Sequence, residues 1–124
     1  MKDVPLNIIK KSSRLTPLDF QELLKSDPKL SLIDVRTPTE FDLLRLPFPA
    51  ENIPLRSLIR NSESVSQNFG SKTVVFVCRR GNDSQKAVSE MQKVLGKNSE
   101  ISLFDIKGGL YAWHRDIDSS FPLY

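Results

Sequence analysis

The sequence predicts an α/β fold, a single domain with a central, mainly parallel sheet flanked by helices on both faces. Three observations carry this. Val74, Val75, Phe76 and Val77 form an uncharged run of β-branched and aromatic residues, the pattern of a strand buried on both faces as in parallel sheets. Apolar runs of this kind alternate along the chain with amphipathic helical stretches. At 124 residues, with 39% hydrophobic content and seven Phe, the chain suits one domain around one core.

Residues 1–12 are polar with scattered apolar positions and read as a tail or linker remnant, so the domain is expected over 13–124. Thr16 then serves as an N-cap with Pro17 at the first helical position and Asp19 in a capping-box place, while Leu15 and Phe20 are spaced for a hydrophobic staple. Phe20, Leu23 and Leu24 face the core and Pro28 ends this helix. A strand is predicted over 30–35. Thr37, Pro38 and Glu40 repeat the start signal with a full capping box, which gives Glu40 a structural task.

Pro47, Pro49 and Pro54 rule out a long helix over 43–58 and leave a meander around a short strand at 50–53. Leu55 onward turns into a short helix, 62–69 is weakly helical, and Gly70 closes it. After the strand at Val74 to Val77, Ala87, Val88, Met91, Val94 and Leu95 fall on one stripe of an amphipathic helix stopped by Gly96. A last strand over 101–106 leads through a flexible Gly108-Gly109 turn into a helix with Leu110, Trp113 and Ile117 on one face. Trp113 reads as core and His114 as surface.

Composition excludes several classes of function. The balance of 18 basic against 15 acidic residues leaves +3, and no basic run exceeds the pairs Lys10-Lys11 and Arg79-Arg80, which is no nucleic-acid footprint. A single cysteine excludes an internal disulfide and, with a single histidine, a four-ligand Cys/His zinc site. No metal is expected. The cysteine usage fits a reducing compartment, no apolar stretch approaches membrane-spanning length, and residues 1–11 lack the apolar centre of a signal peptide. The expectation is a soluble cytoplasmic protein with no membrane partner.

Cys78 follows the most apolar strand directly and precedes a polar loop and a helix. Ligands of open α/β sheets sit beyond the carboxyl ends of the strands, where a helix amino terminus offers unpaired N–H groups to an anion. Gly81 permits positive φ, so the amides of 79–84 can curl into a nest around the sulfur. With Arg79 and Arg80 adding positive charge, these features favour the thiolate and make Cys78 a nucleophile. The plainer alternative, a buried small hydrophobe, does not account for the glycine and the two arginines. Asp34 and Arg36, two residues apart at a strand end, point to the same side and read as an ion pair that braces the loop.

These residues resemble the rhodanese-like sulfurtransferases. Asp34-Val35-Arg36 with Glu40-Phe41 is similar to the family's amino-terminal signature, and Gly108-Gly109-Leu110-Tyr111-Ala112-Trp113 to its carboxy-terminal one. Cys78-Arg79-Arg80-Gly81-Asn82-Asp83-Ser84 looks like its active-site loop. Gly81 to Gln85, Arg45-Leu46-Pro47 and Phe121-Pro122-Leu123-Tyr124 narrow the likeness to the carboxy-terminal rhodanese domain of molybdopterin-synthase sulfurylases and ubiquitin-related-modifier activating enzymes. A departure is the segment Arg45 to Ile53, where many members carry glycine-histidine-isoleucine.

The resemblance implies a persulfide on Cys78, no other cofactor in this domain, and an adenylating domain in a longer parent protein. It implies as partners a cysteine desulfurase or other persulfide donor and a ubiquitin-like sulfur carrier, whose carboxy terminus becomes a thiocarboxylate for tRNA thiolation and, in some members, molybdenum cofactor synthesis. The alternatives are a general thiosulfate sulfurtransferase and a silent rhodanese-like binding module, the latter usually marked by a missing cysteine. A cysteine-dependent phosphatase needs a phosphate-clamping arginine where this chain has Ser84. Asp83 reads as a helix cap whose charge also disfavours a small dianionic donor such as thiosulfate.

Overall fold

The computed structural model describes residues 13–124, so the tail expected at 1–12 lies outside the described residues. In chain order the elements are β1 (Arg14–Leu15), α1 (Pro17–Ser26), β2 (Ser31–Asp34), α2 (Pro38–Leu43), β3 (Glu51–Asn52), α3 (Leu55–Arg60), α4 (Ser62–Gln67), β4 (Thr73–Val77), α5 (Asn82–Leu95), β5 (Ser102–Ile106) and α6 (Gly109–Asp116). The strands form one parallel sheet in the order β1-β5-β4-β2-β3. The α/β class is as the sequence predicts. β1 is an addition, since two residues carry no periodicity for a sequence reading to detect.

β4 lies at the centre, with Val75 opposite Leu32 on one side and Phe104 on the other. Its side chains alternate between faces. Val75 and Val77 join Leu15, Phe20, Leu23, Ile106, Leu110 and Trp113 under α1 and α6. Val74 and Phe76 join Ile33, Leu58, Ala87, Val88 and Met91 under α3 and α5. Both faces are thereby covered, and each fully buried Val, Leu or Phe contributes about 1.5 to 3 kcal/mol.

Both predicted capping boxes form. The Thr16 hydroxyl accepts from the Asp19 amide at 3.1 Å, and the Thr37 hydroxyl from the Glu40 amide at 3.2 Å. Phe48 fixes the path of the departing segment by stacking edge-on against Phe20 and Trp113, with centroids 5.7 and 5.5 Å away. His114 is half-buried and its Nδ1 lies 2.7 Å from the Phe121 carbonyl, so it secures the chain's last turn instead of standing on the surface.

The order of the sheet prepares the site. From β2 the chain crosses to β3 on one side, and from β4 to β5 on the other. Their outgoing loops therefore part, and a crevice opens where the strands end. Among the described residues no helix is long and apolar enough to cross a membrane.

Candidate active site

Cys78 continues the alternation of Val74 and Phe76 and so projects toward the face on which α5 begins. It is 4% exposed and lies at the floor of a cleft of about 480 Å³, lined on the β2 side by Arg36 and Glu40 and on the β4 side by Arg79, Arg80, Asn82 and Asp83. The amides of Gly81 and Ser84 donate to Sγ at 3.0 and 3.3 Å. Gly81 makes this possible: its φ is +97°, and a Cβ there would stand 2.7 Å from the Gly108 nitrogen. Of the amides of 79–84 expected to curl around the sulfur, those of Gly81 and Ser84 bond it.

α5 has Gly81 as its N-cap, without a side-chain cap. This corrects the capping role read for Asp83, which occupies the second helical position and reaches Lys86 at 3.9 Å. The reason is local: Gly81 takes the left-handed conformation the loop requires, which moves the helix start two residues earlier than an Asp83 cap would. The Gly108-Gly109 turn is likewise a close approach rather than a flexible hinge. Gly109, at φ +57°, would place a Cβ 2.2 Å from the Cys78 carbonyl oxygen. The amides of Leu110 and Tyr111 instead donate to the carbonyls of Cys78 and Arg79 at 3.1 and 3.2 Å.

Asp34 and Arg36 form the predicted pair. Both are buried, Arg36 Nη2 donates to Asp34 Oδ2 at 2.8 Å, and Nε and the Arg36 amide donate to Oδ1, each at 3.0 Å. Arg36 also donates to the Leu44 carbonyl. Burial alone would lower the guanidinium, but the bonds with Asp34 and Tyr124 raise it. Asn52 ties the carbonyls of Asp34 and Arg36 at 3.0 and 2.9 Å.

Arg79 and Arg80 rest on tyrosines. The Arg79 guanidinium lies 4.3 Å from the Tyr124 ring centroid and donates to the Tyr111 hydroxyl at 3.0 Å, while Arg80 stacks on Tyr111 at 4.7 Å. The hydrogen bond from Arg80, aided by both arginine charges, lowers the Tyr111 phenol below its ordinary value. Tyr124 links the two cleft walls: its ring carries Arg79 of the β4 side, and its hydroxyl accepts from Arg36 at 2.8 Å and donates to Glu40 at 2.9 Å on the β2 side. Burial, joined by the bond to Glu40, raises its phenol against the pull of Arg36. Burial would also push the Glu40 carboxyl up, yet bonds from Tyr124 and Thr37 and the Arg36 charge hold it below its ordinary value.

Residues 16–116 match the family model of the Rhodanese-like domain. The chain belongs to that family. As a rhodanese-like sulfurtransferase domain it is 41% identical over 127 residues to "Adenylyltransferase and sulfurtransferase MOCS3" of Drosophila grimshawi, and 33% identical over 129 residues to that of Culex quinquefasciatus. These alignments take in 99% of this chain and 27% and 29% of those proteins, so it spans little more than a quarter of their length. In fold the domain is similar to the rhodanese-like domain protein of Staphylococcus aureus, with TM-score 0.65, 23% identity and coverage of 90% of this chain and 98% of that one. It is also similar to the human single-domain sulfurtransferase TSTD1, with TM-score 0.64, 17% identity and coverage of 86% and 98%.

In this rhodanese-like domain Cys78, Arg79, Arg80, Asn82, Asp83, Arg36 and Glu40 meet at one cleft, while Asp34, Gly81 and Ser84 stand behind its walls. Sequence reasoning missed Arg14, Asp105, Tyr111 and Tyr124 as parts of the site. Arg14 reaches Asp105 and the Gly81 carbonyl across separations of 91 and 67 residues, and no local pattern signals such contacts.

Proposed function

We propose that this domain carries sulfur as a persulfide on Cys78 and passes it toward thiocarboxylation of the carboxy terminus of a ubiquitin-like sulfur carrier. The observation that carries this reading is the Cys78 sulfur at the floor of an open cleft, under two inward amide donors. The thiolate attacks the outer sulfur of a donor persulfide, from a cysteine desulfurase or another persulfide protein, and the donor's thiolate leaves. Loop amides and the α5 amino terminus then hold the persulfide anion. Its terminal sulfur attacks the carrier's acyl-adenylate and AMP leaves, giving an acyl disulfide. Because the chain has a single cysteine, a thiol from outside it then attacks Cys78 Sγ, forms a disulfide with it and releases the carrier's thiocarboxylate.

The names of the relatives support the pairing, because an adenylyltransferase activity would activate the carboxyl group that a sulfurtransferase activity then receives. The adenylating domain would belong to the parent protein, and the thiocarboxylate would serve tRNA thiolation and molybdenum cofactor synthesis. Intact mass spectrometry after incubation with a cysteine desulfurase and cysteine is expected to show one added sulfur on the wild-type chain and none on folded Cys78→Ala. A wild-type chain that gains no sulfur sinks the reading.

A further inference from the structure

Asp105 on β5 is fully buried and has no task in the sulfur-transfer steps above. Arg14 Nε donates to its Oδ1 at 3.1 Å and Nη2 to its Oδ2 at 3.0 Å, and the same Nη2 donates to the Gly81 carbonyl at 2.8 Å. Ser84, also fully buried, places its Oγ 2.8 Å from Asp105 Oδ2 and 3.4 Å from Cys78 Sγ. A chain of contacts thus runs from the edge strand through Asp105 and Ser84 to the reacting sulfur.

A serine hydroxyl has one proton to give. At 2.8 Å the carboxylate oxygen is at the ideal O–H···O distance, whereas sulfur is a weaker acceptor and lies farther off. The proton therefore goes to Asp105, and Oγ turns a lone pair toward Sγ. We propose that Arg14 and Asp105 are positioning residues that hold the Ser84 hydroxyl as a hydrogen-bond acceptor toward Cys78. The thiol proton then has a partner, and the thiolate meets two amide donors and no hydroxyl donor. This rests on the reading of Cys78 as the nucleophile and specifies how its reactivity is set. Thiol nucleophilicity falls as the thiolate is stabilised, so withholding a third donor leaves a stronger attacking sulfur. Once the persulfide forms, its charge lies on the outer sulfur and the inner one needs no further donor.

The test is the pH dependence of alkylation by iodoacetamide, which reads Cys78 alone because the chain has one cysteine. Charged residues line the cleft that holds the sulfur: Arg36 and Glu40 on the β2 wall, Arg56 on α3, and Arg79, Arg80 and Asp83 around the loop. Asp105 and Arg14 lie beneath it. Ser84→Ala leaves all of these in place. Its midpoint is expected to move to lower pH by roughly half a unit, the size of a weak thiol hydrogen bond; an unchanged or higher midpoint overturns the proposal.

The roles of the pair are read in Arg14→Met/Asp105→Leu, which removes two opposite charges together and is the kind of swap buried pairs tolerate. The freed hydroxyl should then donate to sulfur and lower the midpoint further than Ser84→Ala does, and adding Ser84→Ala should cancel that extra gain. A folded pair variant with an unmoved midpoint overturns the positioning roles, and if it does not fold, Ser84→Ala alone decides. Sulfur loading by the desulfurase is scored separately. A chain that shows the expected shift yet takes up no sulfur counts against the proposed function and not against this arrangement.

Discussion

Asp83 lines the cleft beside Cys78, and its side chain reaches Lys86 at 3.9 Å, too far for a hydrogen bond. Lys86 counters its charge only weakly across that exposed, long ion pair, which leaves it able to repel a small dianion approaching the sulfur. Because Gly81 and not Asp83 caps α5, Asp83→Thr removes that charge at little structural cost. The variant is expected to gain thiosulfate sulfurtransferase activity several-fold at low salt, with the gain shrinking as ionic strength rises; equal activity at low salt shows that donor choice is set elsewhere. The two tyrosines of the chain offer a second residue-scale expectation, since Arg80 lowers the Tyr111 phenol while burial and Glu40 raise that of Tyr124. Phenolate absorbance should rise in two steps, the first lost in Tyr111→Phe and the second in Tyr124→Phe. A group held above its unfolded value stabilises the fold below that value, so the Tyr124 contribution is lost as pH climbs above about 10. Glu40, held low, contributes above the ordinary carboxylate value and loses its contribution on acidification.

Among the elements, those with complete local signals were legible. Thr16-Pro17 and Thr37-Pro38 announce α1 and α2 because capping depends on neighbours within four residues, and β4 announces itself by five successive buried positions. The start of α5 was misread by two residues because a glycine in the left-handed conformation has no side-chain signature. β1 was missed because Arg14 and Leu15 are held by β5, 91 residues away in sequence. The strand end after β2 was legible as chemistry too, since Asp34 and Arg36 do pair, and a buried pair fails when halved. Asp34→Ala should lower the unfolding free energy in urea by about 3 kcal/mol or more while leaving Cys78 alkylation nearly unchanged, because Arg36 remains buried without its carboxylate. A stability equal to that of wild type rejects this bracing role.

At the scale of the whole molecule, the cysteine loop is held from beneath by segments remote from it in sequence. α6 approaches so closely that its amides bond the carbonyls of Cys78 and Arg79, an approach that requires Gly109. Gly109→Ala must push α6 off the loop, and the expected cost is more than about 2 kcal/mol, combining a left-handed alanine with lost packing. Equal thermal midpoints of variant and wild type would contradict it. That much of the site was hidden from the sequence follows from the same architecture, since Arg14, Asp105 and Tyr124 acquire their meaning only when the sheet brings them to Cys78. Among the described residues, β1 is in register with β5 at two positions, Arg14 opposite Asp105 and Leu15 opposite Ile106. Because side chains alternate across a strand, a slip of one residue would turn Arg14 into the apolar layer and swing Leu15 toward Gly81. A misthreaded edge would therefore surface as a displaced pH profile of Cys78 alkylation in an otherwise well-built domain, which makes that profile a proofreading mark for β1.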